Sequence, residues 1–108
     1  MDLYLLKRRL RFFWQRRTRG WDDSETWSLD WSLANLILPR LERYREITCG
    51  HPADLTKKQW HKILDDIVFA FRYHADFEKH TAEYWKKHGK RVERGMQLFA
   101  EWYGALWW

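Results

Sequence analysis

Hydrophobic residues recur at intervals of three and four along most of this chain, a spacing that places them on one side of an α-helix. Such stripes lie in residues 3–13, 33–47, 60–71 and 92–106. No segment shows the alternation of apolar and polar residues that is typical of strands. At 108 residues the chain has the length of one domain. The sequence therefore predicts an all-α fold, a compact bundle of about four main helices in a single domain.

The composition favours a folded protein of a reducing compartment. Hydrophobic residues make up 45% of the chain and charged residues 32%, which is typical of globular rather than disordered proteins. Cys49 is the single cysteine, so no internal disulfide can form. No apolar run approaches the length that spans a bilayer, and the first residues place apolar side chains before basic ones, the reverse of a secretory signal. We therefore expect a cytosolic protein with no membrane span.

The amino-terminal segment, residues 1–19, is predicted to be a basic amphipathic helix. Its apolar stripe consists of Leu3, Leu6, Leu10 and Phe13, and Leu5 and Trp14 widen it. The spacing predicts a helix over about residues 2–16 that ends before a break at residues 18–20. Seven Lys and Arg residues accompany one acidic residue here, whereas residues 20–108 hold thirteen basic and fourteen acidic residues. The net charge of +5 is therefore an amino-terminal feature.

Residues 20–30 form a joint, rich in Trp and Asp, between that helix and a helical core over residues 30–108. Three tryptophans and four carboxylates lie together in it: Trp21, Trp27, Trp31, Asp22, Asp23, Glu25 and Asp30. Capping side chains predict a short helical turn that begins near Ser24. We interpret the carboxylates as caps and as partners of basic residues rather than as catalytic acids or metal ligands. The tryptophans are interpreted as anchors of the joint, with a partner surface as the alternative.

The second helix is expected to begin near Asp30, whose carboxylate would cap it. Leu33, Leu36, Ile37 and Leu41 then fall on one face. Pro39 lies inside this helix and predicts either a kink near residues 35–39 or two abutting helices.

The third helix has the clearest start in the chain, the T-x-x-Q capping box of Thr56 and Gln59. The last helix is predicted from about Lys90, with Gly95 placed where a neighbouring helix can approach closely. Residues 75–89 between them show no clean period and fit a helix or a loop.

The chain holds nine Trp, five Tyr and six Phe, more aromatic rings than four helices of this length need for packing. The stripes assign six of them to the core: Phe13, Tyr44, Trp60, Phe71, Phe99 and Trp102. Some of the remaining rings must lie near the surface, where aromatic groups beside Arg are typical of interfaces and stacked ligands. The closing residues, Leu106, Trp107 and Trp108, would expose an adhesive patch unless something covered them. A homo-oligomer is therefore expected.

No motif for catalysis or cofactor binding is present. The sequence lacks G-x-x-x-x-G-K, G-x-G-x-x-G and G-x-S-x-G. The five histidines do not fall at zinc-ligand spacings, and Cys49 would act as a nucleophile only if the fold brought a base to it. We expect a protein that is not an enzyme and that holds no cofactor or metal.

The basic helix permits three interpretations. Its Lys and Arg side chains can neutralise phosphates of nucleic acid or of a nucleotide, with Trp14 or Trp21 stacking on a base. It can lie on an anionic membrane surface if the bundle leaves its apolar stripe free. It can also be a solvated face that balances the carboxylates of the joint.

Several segments carry a resemblance to a known family. They are Gly20-Trp21-Asp22-Asp23 with Thr26-Trp27-Ser28-Leu29-Asp30, Leu38-Pro39-Arg40-Leu41, and Met96-Gln97-Leu98-Phe99 with Leu106-Trp107. In these segments the chain resembles a family of small uncharacterised proteins encoded by bacteriophages and prophages. The resemblance spans nearly the whole chain beyond the first dozen residues, and it carries no catalytic residues.

The resemblance implies a phage accessory protein in the cytoplasm of a host bacterium. The expected function is binding that antagonises a bacterial defence system, either by occupying a host protein or by sequestering a cyclic or phosphorylated nucleotide. A nucleic-acid-binding accessory factor and a small structural or assembly component of the phage are the alternatives. The contact surface is expected at eight residues: Arg8, Arg11, Trp14, Arg17, Trp21, Trp27, Trp107 and Trp108.

Overall fold

Within residues 2–107 the polypeptide forms four α-helices joined by short connections. A computed structural model describes residues 2–107. The helices are α1 (Leu3–Arg19), α2 (Leu29–Ile47), α3 (Lys57–Ala75) and α4 (Ala82–Trp102), and 3₁₀ turns occupy Asp23–Thr26, Phe77–Lys79 and Tyr103–Ala105. No strand occurs within residues 2–107. The predicted all-α bundle of four main helices is confirmed.

α3 is the central helix of the core, because it packs against both α2 and α4. The main cluster draws Ala34 and Leu41 from α2, Ile67 and Phe71 from α3, and Leu98 from α4. All five are almost completely buried. Burial of a Leu, Ile or Phe side chain contributes about 1.5–3 kcal/mol, so this cluster holds the three helices together.

The start of α3 is fixed by reciprocal side-chain bonds. Thr56 Oγ1 accepts a hydrogen bond from the Gln59 amide at 3.1 Å, and Gln59 Oε1 accepts one from the Thr56 amide at 2.8 Å. Both amides lie where the helix itself offers no partner. The predicted capping box is therefore confirmed, and the next residue, Trp60, is the first core side chain of the helix.

α4 crosses α3 closely at Gly95. A Cβ atom at this position would lie 2.3 Å from the Asp66 carbonyl oxygen and 2.6 Å from the Ala70 Cβ. Only a residue without a side chain fits this separation, so the predicted close approach is confirmed. Beside the crossing, the Asp66 carboxylate accepts from Lys62 Nζ at 2.8 Å and from Arg91 Nε at 3.0 Å, which links the two helices.

α4 begins at Ala82 rather than near Lys90. Thr81 caps it, and the Thr81 hydroxyl accepts from the Tyr84 amide at 3.1 Å. The predicted start was wrong because the first turn of α4 packs through aromatic rings, whereas the prediction relied on the spacing of aliphatic residues. His80 stacks on Tyr84 with ring centroids 4.1 Å apart, and Tyr73 of α3 stacks on His80 at 5.1 Å.

α2 begins at Leu29, and its predicted cap is wrong. Ser28 takes the capping position without a side-chain bond, while Asp30 lies in the first turn, where its charge favours the amino end of the helix. The helix continues through Pro39 as one element, which excludes two abutting helices. Pro39 and Asn35, whose carbonyl loses its partner, are both exposed to water. A kink at this point stays a prediction.

α1 ends at Arg19, beyond the predicted end at residue 16. The Thr18 hydroxyl donates to the Trp14 carbonyl at 2.8 Å, so this threonine continues the helix. Gly20 then stops it in the left-handed region with a φ of 87°, and its amide donates to the Arg16 carbonyl at 2.9 Å.

α1 extends from the edge of the other three helices. Its partly buried residues are Arg8, Phe12 and Gln15, and none of its residues is fully buried. The radius of gyration is 17.8 Å, whereas a globular domain of 100 residues has a value of about 13 Å. The basic helix therefore joins the bundle through the 3₁₀ turn that follows it rather than through the core.

Candidate partner-binding surface

The joint, residues 20–30, is organised by the carboxylate of Asp22, which is only 3% exposed. This carboxylate accepts from the Ser24 amide at 2.8 Å and caps the 3₁₀ turn, while Glu25 accepts from the Asp22 amide at 2.8 Å. The pair forms the same reciprocal capping box that starts α3. The predicted short helical turn is confirmed, as is the capping role of Asp22 and Glu25.

Two arginines and one glutamine of α1 tie that helix to the joint. Arg16 forms an ion pair with Asp22, and Arg19 pairs with Asp23 at 2.7 Å. Gln15 bonds Asp23 twice, since its side chain donates to the carboxylate at 2.8 Å and accepts from the backbone amide at 2.9 Å. The joint therefore sets the direction in which α1 leaves the bundle.

These contacts lower the pKa of two carboxyl groups in the joint, those of Asp22 and Asp23. The hydrogen bond from the Ser24 hydroxyl, with further bonds from Arg16 and the Ser24 amide, lowers the pKa of Asp22 below its ordinary 3.8 despite its burial. The hydrogen bond from Gln15 is the main cause of the lowered pKa of Asp23. A carboxyl group of this kind stabilises the fold above its unfolded pKa, and the contribution is lost as the pH falls through the lowered value. The joint is therefore expected to loosen only below about pH 4.

Acid titration followed by NMR is expected to show this loosening. The Ser24 amide donates to Asp22, so its chemical shift should move with a midpoint below pH 3.8. Resonances of the α4 core around Leu98, which lies far from the joint, should not follow that transition. The control is Asp22→Asn, whose side chain cannot titrate and which should abolish the Ser24 transition. A midpoint at or above the ordinary carboxyl value would contradict the bonding described for Asp22.

The side of α1 that faces the joint is not its apolar side. The Phe12 ring packs against Trp27 with centroids 5.6 Å apart, and the Arg8 guanidinium lies 5.5 Å from the centroid of the same indole. Arg8, Phe12 and Gln15 follow one another at intervals of four and three residues, so they occupy one side of the helix. The predicted apolar stripe consequently points in the opposite direction.

Leu3, Leu6, Leu10 and Phe13, from here on the α1 stripe, are exposed to solvent at 69%, 40%, 51% and 51%. The assignment of Phe13 to the core is therefore wrong, because α1 is attached through its other side. Contiguous apolar surface of this kind is typical of interaction sites. The free stripe also meets the condition for binding to a membrane surface.

The predicted contact residues near α1 divide between its two sides. Arg8 and Trp27 stack on each other on the side of the joint. Trp14, which is 60% exposed, and Arg17 lie one turn beyond the last two members of the α1 stripe and extend it. Arg11 lies between these sides, with its guanidinium 5.5 Å from the Phe12 ring centroid.

The other predicted contact residues are further from the stripe. Trp21 is 45% exposed, and its ring centroid lies 3.7 Å from the Cζ atom of the Arg19 guanidinium. Trp107 belongs to a separate surface at the carboxyl end of α2, where the Tyr44 hydroxyl donates to the Trp107 carbonyl at 3.0 Å. About 20 Å of helix separate Tyr44 from the joint. Trp108 lies outside the described residues.

Leu29, Leu33 and Leu36 form a second exposed apolar stripe, from here on the α2 stripe, at 52%, 50% and 54% exposure. The sequence placed Leu33 and Leu36 on one face with Leu41, but the structure buries Leu41 and leaves the other two exposed. Ala34 and Leu41 occupy the core face, about a third of a turn away from the α2 stripe. α2 therefore has two apolar sides. α3 and α4 cover the side with Ala34 and Leu41, and the α2 stripe is exposed.

A groove that the sequence did not reveal lies between the joint, the start of α2 and the 3₁₀ turn after α3. Its volume is about 510 Å³, and Trp27, Trp31 and Phe77 form its aromatic wall. Three carboxylates also line it: Glu25, Asp30 and Glu78. None of these three forms an ion pair within residues 2–107. This acidic groove has the charge opposite to that of α1.

Most tryptophans of the described chain lie near the surface. Six of them are between 39% and 75% exposed: Trp14, Trp21, Trp27, Trp31, Trp85 and Trp107. Trp60 is buried and Trp102 is half-buried. The expectation that some of the aromatic rings lie outside the core is confirmed.

Within the described part of the chain, none of the helices has both the length and the apolar content that crossing a bilayer requires. Comparison with protein-family models, with curated proteins and with solved structures gives no match. The resemblance to phage-encoded proteins therefore stays a prediction.

Proposed function

We propose that this protein acts by binding rather than by catalysis, and that it antagonises a bacterial defence system by occupying a host protein. The observation that carries this proposal is the accessible α1 stripe, which lies on a helix whose direction the joint fixes. The resemblance to phage-encoded proteins supplies the class of target.

The chemistry of α1 favours a protein as the target. Helices that present apolar residues at intervals of three and four bind in hydrophobic grooves of protein partners. Lys7, Arg9 and Arg17 lie beside or beyond the α1 stripe, where they would contact an acidic rim of such a groove. A ligand held only through its phosphates would leave the leucines of the stripe in water.

Trp14 is the expected anchor of the contact. Its ring is 60% exposed and meets Phe13 edge-on, with centroids 5.9 Å apart. Buried Trp and Arg side chains contribute most of the binding energy at protein interfaces. Trp14 and Arg17 together extend the α1 stripe by one turn and supply both residue types.

Affinity purification from infected bacteria tests the proposal. Tagged wild-type protein is expected to retain one host protein in stoichiometric amount. The Trp14→Ala variant should retain at least about tenfold less, the loss expected of an interface anchor. Leu5→Glu is the matched control, because Leu5 lies on α1 outside the stripe and is 43% exposed. The proposal fails if no host protein is retained, or if Trp14→Ala retains as much as the wild type.

A phosphate-bearing ligand is the second candidate. It is favoured by the cations of α1 that form no ion pair within residues 2–107: Lys7, Arg8, Arg9, Arg11 and Arg17. Sequestration would leave a nucleotide in the purified protein. Nucleic-acid binding would yield fragments that dissociate as salt rises, because each phosphate contact adds to the salt dependence. A contact made by tryptophan and leucine would survive the same salt.

A further inference from the structure

Two apolar stripes on one chain remain uncovered. The side chains of the α1 stripe and the α2 stripe are 40% to 69% exposed. A half-exposed Leu or Phe leaves on the order of 100 Å² accessible, so the two stripes together present roughly 700 Å². Two copies that covered both stripes would bury about 1,400 Å², which is the size of a stable and specific interface.

The two stripes match in spacing, and the α2 stripe is the shorter one. Both follow the alternation of three and four residues that is typical of seams between paired helices. At 1.5 Å per residue, the α1 stripe extends about 15 Å and the α2 stripe about 10 Å. One stripe can therefore lie along the other.

The charges beside the stripes are complementary. Lys7 and Arg9 flank the α1 stripe, and neither forms an ion pair within residues 2–107. The acidic groove lies at the amino end of α2, where the α2 stripe also begins, and its Glu25 and Asp30 likewise form no ion pair in the described chain. Opposite potentials across an interface favour one partner and one orientation.

We infer that in the free protein a second copy of this chain covers both stripes, so that α1 of each copy lies along the α2 stripe and the acidic groove of the other. The exchange is reciprocal, and a two-fold axis therefore relates the copies. The inference rests on the same side of α1 as the proposed function, so a host target would displace the second copy.

Other arrangements of the α1 stripe fit less well. The stripe points away from its own bundle, because Arg8, Phe12 and Gln15 hold the opposite side of α1 against the joint. Two α1 helices side by side would bring like charges together, because every charged residue of α1 itself, Leu3–Arg19, is basic. The α2 stripe of another copy offers an apolar surface with carboxylates beside it.

Sedimentation equilibrium of the purified protein, over a range of concentrations, tests the association. The expected mass is twice the chain mass of 13.5 kDa. Leu10→Glu and Leu33→Glu each place an unpaired charge in the apolar contact, and each should weaken the dimer at least about 100-fold. Leu5→Glu on α1 and Asn35→Glu on α2 are exposed controls that should leave the dimer intact. Circular dichroism should show the same helix content in all four variants.

Disulfide trapping identifies the contact itself. In a Cys49→Ser background, chains carrying Leu10→Cys are mixed with chains carrying Leu33→Cys and then oxidised. The covalent product that joins the two different chains is expected to exceed either product that joins two identical chains. A predominance of Leu10→Cys pairs would show that α1 pairs with α1 and would overturn the inference.

Two further outcomes would also overturn it. One is a wild-type protein that stays monomeric and instead binds vesicles of anionic phosphatidylglycerol through Leu10. The other is a dimer that Leu33→Glu leaves unchanged. These tests use purified protein alone, whereas the host-protein test uses infected cells. A monomer that still retains a host protein would refute the dimer only, and a dimer that retains none would refute the proposed function only.

Discussion

Replacement of Trp60 by alanine is expected to destabilise the protein by about 3–5 kcal/mol. Trp60 is fully buried just after the cap of α3, and its ring meets Trp102 of α4 edge-on with centroids 6.0 Å apart. Alanine would leave a cavity between the two helices that rigid neighbours cannot fill. Since small domains have a total stability of about 5–15 kcal/mol, the variant should be close to unfolding. Urea denaturation followed by circular dichroism measures the loss.

Trp14→Ala is the matched control for that measurement. Trp14 is 60% exposed on α1 and belongs to no core cluster. Its replacement should change the free energy of unfolding by less than about 0.5 kcal/mol. Equal losses at the two tryptophans would contradict the division between a packed core and a projecting helix.

Gly95→Ala is expected to lower the stability by about 2–3 kcal/mol, although alanine is the better helix former. The new Cβ would lie 2.3 Å from the Asp66 carbonyl oxygen, which is backbone and cannot rotate away. α4 must then shift away from α3 and give up contacts along the crossing. For a domain of this size the melting temperature should fall by roughly 10–20 °C, as calorimetry would show.

Gly89→Ala provides the comparison on the same helix. Gly89 is also buried, but the nearest atom to a Cβ there is a ring carbon of Trp85, at 2.8 Å. That side chain is 39% exposed and can turn toward solvent. The loss of ring packing and the gain in helix propensity should nearly cancel, so the change should stay within about 1 kcal/mol. A loss at Gly89 as large as at Gly95 would mean that the α3–α4 separation is not what limits Gly95.

The features of the fold that the sequence predicted depend on interactions between residues that are close together in the sequence. The capping box at Thr56 and Gln59 needs only two side chains and two amides three residues apart, and the capping of the joint by Asp22 is equally local. Gly95 was predicted because it lies on the apolar side of α4. Each of these features is visible within one or two helical turns.

The parts that the sequence did not predict depend on contacts between distant segments. An apolar stripe identifies the side of a helix that tends to be buried, but not the segment that buries it. Phe13 was therefore assigned to a core that it does not enter, and Leu33 was placed on one face with the buried Leu41. The start of α4 was missed since Tyr73, His80 and Tyr84 pack there as stacked rings. The acidic groove is lined by three separate segments of the chain, and no single segment has a sequence pattern that predicts it.

α1 is attached to the protein by hydrogen bonds and ion pairs at its last turns, and it contributes no buried side chain. The residues that stabilise the fold are therefore different from those of the α1 stripe. Substitutions in the α1 stripe should consequently change what this helix contacts while the free energy of unfolding of the core stays nearly constant.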